Sequence, residues 1–142
     1  NFISEASKVF GSQCIVLSID AKKKSHNKWE AYFDNGREPS GLDVIEWAKK
    51  VESLGAGEIM LTSIDAEGTK KGFDINLNKA VSEVVSIPVI SSGGAGNEEH
   101  ISNLLNNTSV DAVALASVLH YGLLSVGSIK QKLVNNKIKV RM

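Results

Sequence analysis

The stretch Ile-Val-Leu-Ser-Ile-Asp at residues 15–20 recurs 45 positions later as Met-Leu-Thr-Ser-Ile-Asp at residues 60–65. Each copy is a short, nearly continuous apolar run that ends in a carboxylate, a pattern typical of a strand buried on both faces in a parallel sheet. Two further apolar runs lie at residues 88–92 and 112–116. The alternation of these runs with helical segments predicts a parallel sheet with right-handed crossovers. The predicted helices that follow the strands cover about residues 43–53, 77–85, 98–105 and 127–135.

The composition predicts a single domain over residues 1–142, with a small hairpin near residues 28–36 that ends in Asp-Asn-Gly. The 16 Lys and Arg residues balance 16 Asp and Glu residues, which argues against a nucleic-acid partner. The apolar stretches are far shorter than the ~20 residues of a membrane span, so we expect no membrane partner. The lone Cys14 fits the cytoplasm and is predicted to be a small core residue. Because residue 1 is Asn, we expect a processed front or part of a longer chain.

Two architectures fit this order of elements, an open doubly wound sheet and part of a (βα)₈ barrel. In both of them, functional groups lie at the carboxyl ends of the parallel strands. The residues at these ends are acids, hydroxyls and glycines. They include Asp20, Thr62, Asp65, Glu67, Gly68, Gly93, Gly94, Ala116 and Ser117.

Two of these segments suit a phosphate group. Gly-Gly-Ala-Gly at residues 93–96 and the pair Ala116-Ser117 each lead from a strand into a helix, where backbone N–H groups are unpaired. Glycine lets an anion approach the backbone directly. The alternative interpretation of residues 93–96 is a tight strand-to-helix connection with no ligand.

Asp20 is the candidate for acid–base chemistry, because it ends an otherwise buried strand where an unpaired carboxylate is costly. The alternative is a capping acid or a partner for Lys22. The three histidines share no metal-ligand spacing, and His100 is predicted on the solvent-facing side of its helix. We therefore predict no metal and no cofactor.

Several segments closely resemble one enzyme family, the cyclase (synthase) subunit of imidazole glycerol phosphate synthase of histidine biosynthesis. The resemblance covers nearly the whole chain, in order. That family is a full (βα)₈ barrel of about 250 residues, so the resemblance implies a (βα)₄ half-barrel, strands five to eight of a TIM barrel. The segments that carry it are Ile-Val-Leu-Ser-Ile-Asp-Ala-Lys at 15–22, Gly-Ala-Gly-Glu-Ile-Met-Leu-Thr-Ser-Ile-Asp at 55–65, Ile-Pro-Val-Ile-Ser-Ser-Gly-Gly-Ala-Gly at 87–96 and Lys-Val-Arg at 139–141.

The resemblance implies roles for individual residues. Asp20 matches the catalytic aspartate of the fifth strand, and Thr62 lies at the pocket wall. Glu58 matches a charged residue at the opposite mouth, where ammonia enters from a glutaminase partner. The positions that match the binding site of one substrate phosphate are Gly68, Gly94, Ala116 and Ser117, with Gly93 and Glu67 beside them. The implied reaction uses ammonia to form imidazole glycerol phosphate from a formimino-carboxamide ribonucleotide.

Two features of the chain depart from the family pattern. The family commonly has Asp-X-Asp-Gly where this chain has Asp-Ala-Glu-Gly at residues 65–68, so Glu67 carries an extra methylene. The first-strand catalytic aspartate and the second phosphate site belong to the other half, so the isolated chain is expected to bind phosphate without full activity.

A half-barrel leaves two strand edges and one apolar face uncovered, so we expect a homodimer or a higher even oligomer. Two rival functions stay open. One is an ammonia-using paralogue that acts on an amidino sugar precursor, and the other is a phosphate-binding module without catalysis.

Overall fold

The structure is a computed structural model that describes residues 2–141. Its strands are β1 (Val16–Ser25), β2 (Lys28–Phe33), β3 (Glu38–Asp43), β4 (Glu58–Ser63), β5 (Val89–Ser92) and β6 (Ala112–Ala114). Its helices are α1 (Phe2–Phe10), α2 (Val44–Ser53), α3 (Ile75–Ser82), α4 (Glu98–Asn107), α5 (Ser117–His120) and α6 (Val126–Asn135). No helix among these residues is long and apolar enough to cross a bilayer.

The strands form one open sheet in the order β3-β2-β1-β4-β5-β6. The pairs β1–β4, β4–β5 and β5–β6 are parallel, whereas β2 and β3 add to β1 as an antiparallel extension. The expected α/β fold with a parallel sheet is thus confirmed in its coarse form. Closure of the sheet into a barrel stays a prediction.

The helices cover one face of the parallel sheet. Alternate residues of each strand point to this face, among them Ile19, Leu61 and Ser91, which are almost inaccessible to solvent. The helices contribute an apolar stripe that buries these residues, and full burial of a valine, leucine or isoleucine side chain stabilises the fold by about 1.5–3 kcal/mol. The fully buried helical residues include Val44, Ala48, Val51, Leu77, Val81, Ile101 and Leu104.

Side-chain caps start the helices that form this layer. Asp43 accepts hydrogen bonds from the N–H groups of Ile45 and Glu46 at the start of α2. At the other end of α2, Glu52 accepts from both the hydroxyl and the N–H group of Ser86. These two bonds hold the pKa of the Glu52 carboxyl below its usual value. They tie the end of α2 to the segment that leads into β5.

The opposite face of the parallel sheet has no layer of helices over it in the described chain. The residues that alternate with the buried ones point to this face, and several are open to solvent: Val16 is 50% exposed, and Ser18 and Ala112 are also exposed. The register aligns Ser18 with Met60, Ile90 and Ala112 in one row across the four strands. We name the residues on this side of the parallel strands the uncovered face.

The prediction of two free edges on a four-stranded sheet is wrong in part. Strand β2 pairs with β1 from Asp20 to Ser25, so the carboxyl half of that edge is occupied. In the described chain, the segment 16–19 pairs only with β4, and the outer side of β6 pairs with no strand. A cavity of about 450 Å³, lined by residues of β6 and α6 such as Val113 and Ile129, lies beside this second edge.

Three local expectations also differ from the structure. The hairpin is longer than residues 28–36, because β3 continues the antiparallel pairing to Asp43. The helix expected at 77–85 spans Ile75–Ser82, since Asp74 caps it by accepting from the N–H of Leu77. Cys14 is exposed in a short 3-10 turn and is not a core residue.

Candidate functional site

Four side chains form a row at the carboxyl ends of the parallel strands. The register pairs Asp20 with Thr62, Thr62 with Ser92, and Ser92 with Ala114. Paired residues point to the same side of a sheet, so all four lie on the uncovered face. All are partly exposed. Asp20 lies two strands from Ser92, which is about 10 Å at ordinary strand spacing.

A cavity of about 260 Å³ opens beside this row, above β5 and β6. Five residues singled out from the sequence line it together. These are Glu67, Gly93, Gly94, Ala116 and Ser117. The structure therefore brings the glycine turn after β5 and the small pair after β6 to one concave site.

The donors that this cavity offers are backbone groups and hydroxyls. The N-cap residue of α5, Ala116, makes no side-chain hydrogen bond to the first turn of the helix. Since α5 has only four residues, its macrodipole adds little, and an anion here would depend on direct N–H and hydroxyl contacts. Ser92 and Ser117 supply the hydroxyl groups of the lining.

The two acidic residues of the loop after β4, Asp65 and Glu67, have different surroundings. Asp65 accepts a hydrogen bond of 2.7 Å from the N–H group of Lys23, which ties the loop after β4 to the end of β1. Glu67 faces the cavity, and its carboxylate lies so close to Gly93 that a Cβ there would stand 3.2 Å from Oε2. The Glu67 carboxylate at the rim repels a second negative charge nearby. This repulsion opposes the attraction of the neutral N–H donors for an anion.

The glycines after β5 also have a structural role. The β4–α3 loop (residues 64–74) approaches them so closely that a Cβ atom at Gly94 would overlap the carbonyl oxygen of Gly72. A Cβ atom at Gly96 would likewise overlap the carbonyl oxygen of Lys70. The N–H of Gly72 donates to the carbonyl oxygen of Gly94 at 2.7 Å. Close backbone packing therefore requires glycine here even without a ligand, which is the alternative weighed from the sequence.

The remaining candidates lie around the cavity without lining it. Thr62 is one strand away in the row of side chains, and Asp20 is two strands away. Gly68 has a φ of +71° and open space around it, outside the lining. Glu58 is half-buried at the amino end of β4, on the same face but at the opposite end of the strand.

Sequence reasoning missed Met60 and the orientation of His100. Met60 lines the cavity, and its position two residues before Thr62 on a strand was the available signal. His100 is half-buried, and its ring faces the glycine turn, so its assignment to the solvent-facing side was wrong. Within residues 2–141, no three His, Cys, Asp or Glu side chains are grouped in a way that could hold a metal ion.

Comparisons with known proteins agree with the resemblance noted from the sequence. The family described as "Histidine biosynthesis protein" matches residues 1–125. The chain is also 50% identical over 140 residues to proteins named "Imidazole glycerol phosphate synthase subunit HisF" from three strains of Bacillus cereus, ATCC 10987 / NRS 248, Q1 and AH187. These matches cover 99% of the chain but 56% of each relative, so the chain spans a little over half of their length.

The close approach of the two loops gives a stability prediction. Gly94→Ala is expected to lower the free energy of unfolding by about 2–3 kcal/mol, because the new methyl group overlaps Gly72 and the φ of +103° is strained. Gly122→Ala is the control, since its φ of +64° is also positive but nothing lies within 4 Å. Urea unfolding measures both variants. Equal losses would show that backbone strain, and not the contact between the loops, accounts for the effect.

Proposed function

The chain belongs to the histidine biosynthesis protein family, and from this premise we propose that it is the carboxyl-terminal half of an ammonia-using cyclase. The complete reaction would form imidazole glycerol phosphate from a phosphorylated formimino-carboxamide ribonucleotide. In this proposal the chain itself contributes one phosphate site and one proton-transferring carboxylate. A glutaminase subunit would supply ammonia in the complete enzyme, and a cytoplasmic location belongs to the same proposal.

The observation that carries the proposal is the convergence of the two small-residue segments on one cavity. Gly93 and Gly94 come from the loop after β5, and Ala116 and Ser117 follow β6, yet all four line the same concave surface. A phosphate ester needs several N–H and hydroxyl donors within about 3 Å, and small residues allow this approach. The 50% identity to the cyclase subunits favours a phosphorylated substrate over a free anion.

Asp20 is the proposed proton-transferring residue. Its carboxylate is on the same face as the cavity lining and at the same level of the sheet as Ser92. It is only partly buried, so a substrate on the uncovered face can reach it. Glu58, at the amino end of the same face, is the proposed charged group beside the ammonia entrance. Acid and base are both needed for ring closure, so we assign the second group to the half that this chain does not include.

One observation also favours a second function, binding of a phosphate group without turnover. The cavity is lined by small residues, hydroxyl groups and Glu67, whereas Asp20, the proposed proton-transferring residue, lies two strands from Ser92 and does not line it.

We also propose that the chain associates with itself through the uncovered face. Among residues 2–141, the segment 16–19 of β1 and the outer side of β6 are strand edges that pair with no further strand, and the face between them carries exposed apolar side chains such as Val16. A two-fold dimer would bring each β1 edge to a partner's β6 edge and bury both faces. Such a dimer would contain two copies of Asp20 around one interior.

The phosphate site predicts anion binding by the isolated chain. Inorganic phosphate is expected to bind, and Ser117→Asp is expected to weaken binding at least tenfold because it adds a negative charge to the cavity. The control is Ser109→Asp, which adds the same charge to the exposed segment before β6. Titration calorimetry at low ionic strength measures both. Equal affinities of the two variants would contradict this location of the site.

The catalytic assignment predicts a loss of turnover in Asp20→Asn. The chain is combined with a compatible amino-terminal half, and ammonium-dependent cyclisation is followed. Turnover is expected to fall by about 10²–10⁴-fold, since the amide cannot transfer the proton. Asp34→Asn, in the exposed turn of the hairpin, is the control. Equal activity of Asp20→Asn and the wild type would remove Asp20 from the mechanism, and absence of turnover in every combination would favour the binding module.

The uncovered face predicts a dimer or higher even oligomer in analytical ultracentrifugation. Val16→Lys is expected to shift the equilibrium towards the monomer, because it puts a charge on the buried side of the interface. The matched control is Val134→Lys, since Val134 is 43% exposed but belongs to α6 on the helical layer. A wild-type monomer at all concentrations would rule out self-association.

A further inference from the structure

His100 makes a hydrogen bond to the backbone of the glycine turn. Neither proton transfer to a substrate nor direct contact with a substrate requires this bond. His100 lies in the first turn of α4, and its Nδ1 accepts the N–H group of Gly96 at 3.1 Å. Asn97 caps the same turn by accepting the N–H group of His100 at 3.0 Å. The helix start and the imidazole ring together therefore fix the end of the turn that begins with Gly93 and Gly94.

The same ring lies beside the β4–α3 loop. A Cβ atom at Gly72 would stand 3.6 Å from Cδ2 of the ring, so the ring borders the space next to this glycine. Gly72 in turn donates its N–H to Gly94 at 2.7 Å. Helix α4, the glycine turn and the β4–α3 loop thus meet at His100. Gly94, which takes part in this arrangement, and its neighbour Gly93 line the cavity.

The bond to Gly96 depends on the protonation state of the ring. A neutral imidazole accepts at Nδ1 when its proton is on Nε2, whereas the imidazolium ion carries a proton on both nitrogens. Protonation would place the Nδ1–H group directly against the N–H group of Gly96. Two donors cannot share a hydrogen bond, so the glycine turn would have to move away.

The charged groups around the ring come from three elements. Glu98 and Glu99 precede His100 in the first turn of α4, and Glu99 is paired with Lys132 of α6 at 2.6 Å. Lys70 and Lys71 belong to the β4–α3 loop, and the Lys70 ammonium lies 4.9 Å from the centre of the Tyr121 ring.

We propose that His100 is a positioning residue which, in its neutral form, holds the glycine turn in the conformation that binds the phosphate group. Removal of this acceptor is then expected to loosen the glycine turn and weaken anion binding. This inference rests on the phosphate site proposed above. It adds a residue that touches neither the substrate nor the cavity.

Two substitutions test separately the hydrogen-bond acceptor of His100 and the volume of its ring. His100→Asn places an amide oxygen near the position of Nδ1. His100→Leu fills a similar volume without any acceptor. Sulfate is the probe, because it is a dianion at neutral pH, whereas phosphate is then a mixture of two charge states.

At pH 7.5 the His100→Leu variant is expected to bind sulfate about five- to tenfold more weakly than the wild type, as follows from loss of one hydrogen bond. His100→Asn is expected to stay within about threefold of the wild type. Wild-type affinity in His100→Leu, or an affinity of His100→Asn as weak as that of His100→Leu, would overturn the proposal.

A second measurement does not need the anion. The hydrogen-exchange protection of the Gly96 amide, followed by NMR at pH 7.5, is expected to be retained in His100→Asn and to fall about five- to tenfold in His100→Leu. Equal protection in the two variants would overturn the positioning role, even if the wild type bound no sulfate. An absence of sulfate binding with the expected exchange pattern would instead count against the phosphate site alone.

Discussion

The parallel hydrogen-bond ladders that join β4 to β1 and to β5 are the constraint on which the site depends. They place Asp20, Thr62 and Ser92 at one level and on one face, whatever the intervening helices do. The helices on the other face bury the alternate residues, so a slip by one residue would expose Leu61 and bury Thr62. The buried core on the helical face therefore fixes the strand register, and with it the side chains that form the polar row on the uncovered face.

The loops above this row are held by backbone contacts, and few of their side chains take part. Gly94 and Gly96 allow the β4–α3 loop to lie directly on the glycine turn, and the bond between Gly72 and Gly94 locks this arrangement. Glycines that are candidates for phosphate binding therefore already have a role in folding, which does not depend on a ligand. Both roles require the absence of a side chain, and the same glycine can satisfy them together.

Local sequence patterns predicted the strands, the helical segments and the convergence of the small residues, because strand period and glycine chemistry are local properties. These local patterns failed where the surroundings of a residue are set by segments that lie far away in sequence. Cys14 follows a helix and precedes a buried strand, yet it is exposed in a turn. The orientation of His100 depends on where the β4–α3 loop lies, and the pairing of β2 with β1 depends on a register that no single segment encodes.

The half-occupied edge of β1 limits how copies of this chain can stack. An added strand can align with only four residues, from Val16 to Ile19, before it meets β2. Such a short template favours a closed pairing of defined length over the long, flat contacts from which fibrils grow. The hairpin thus protects this edge of the sheet against open-ended aggregation, while it leaves room there for a single partner strand.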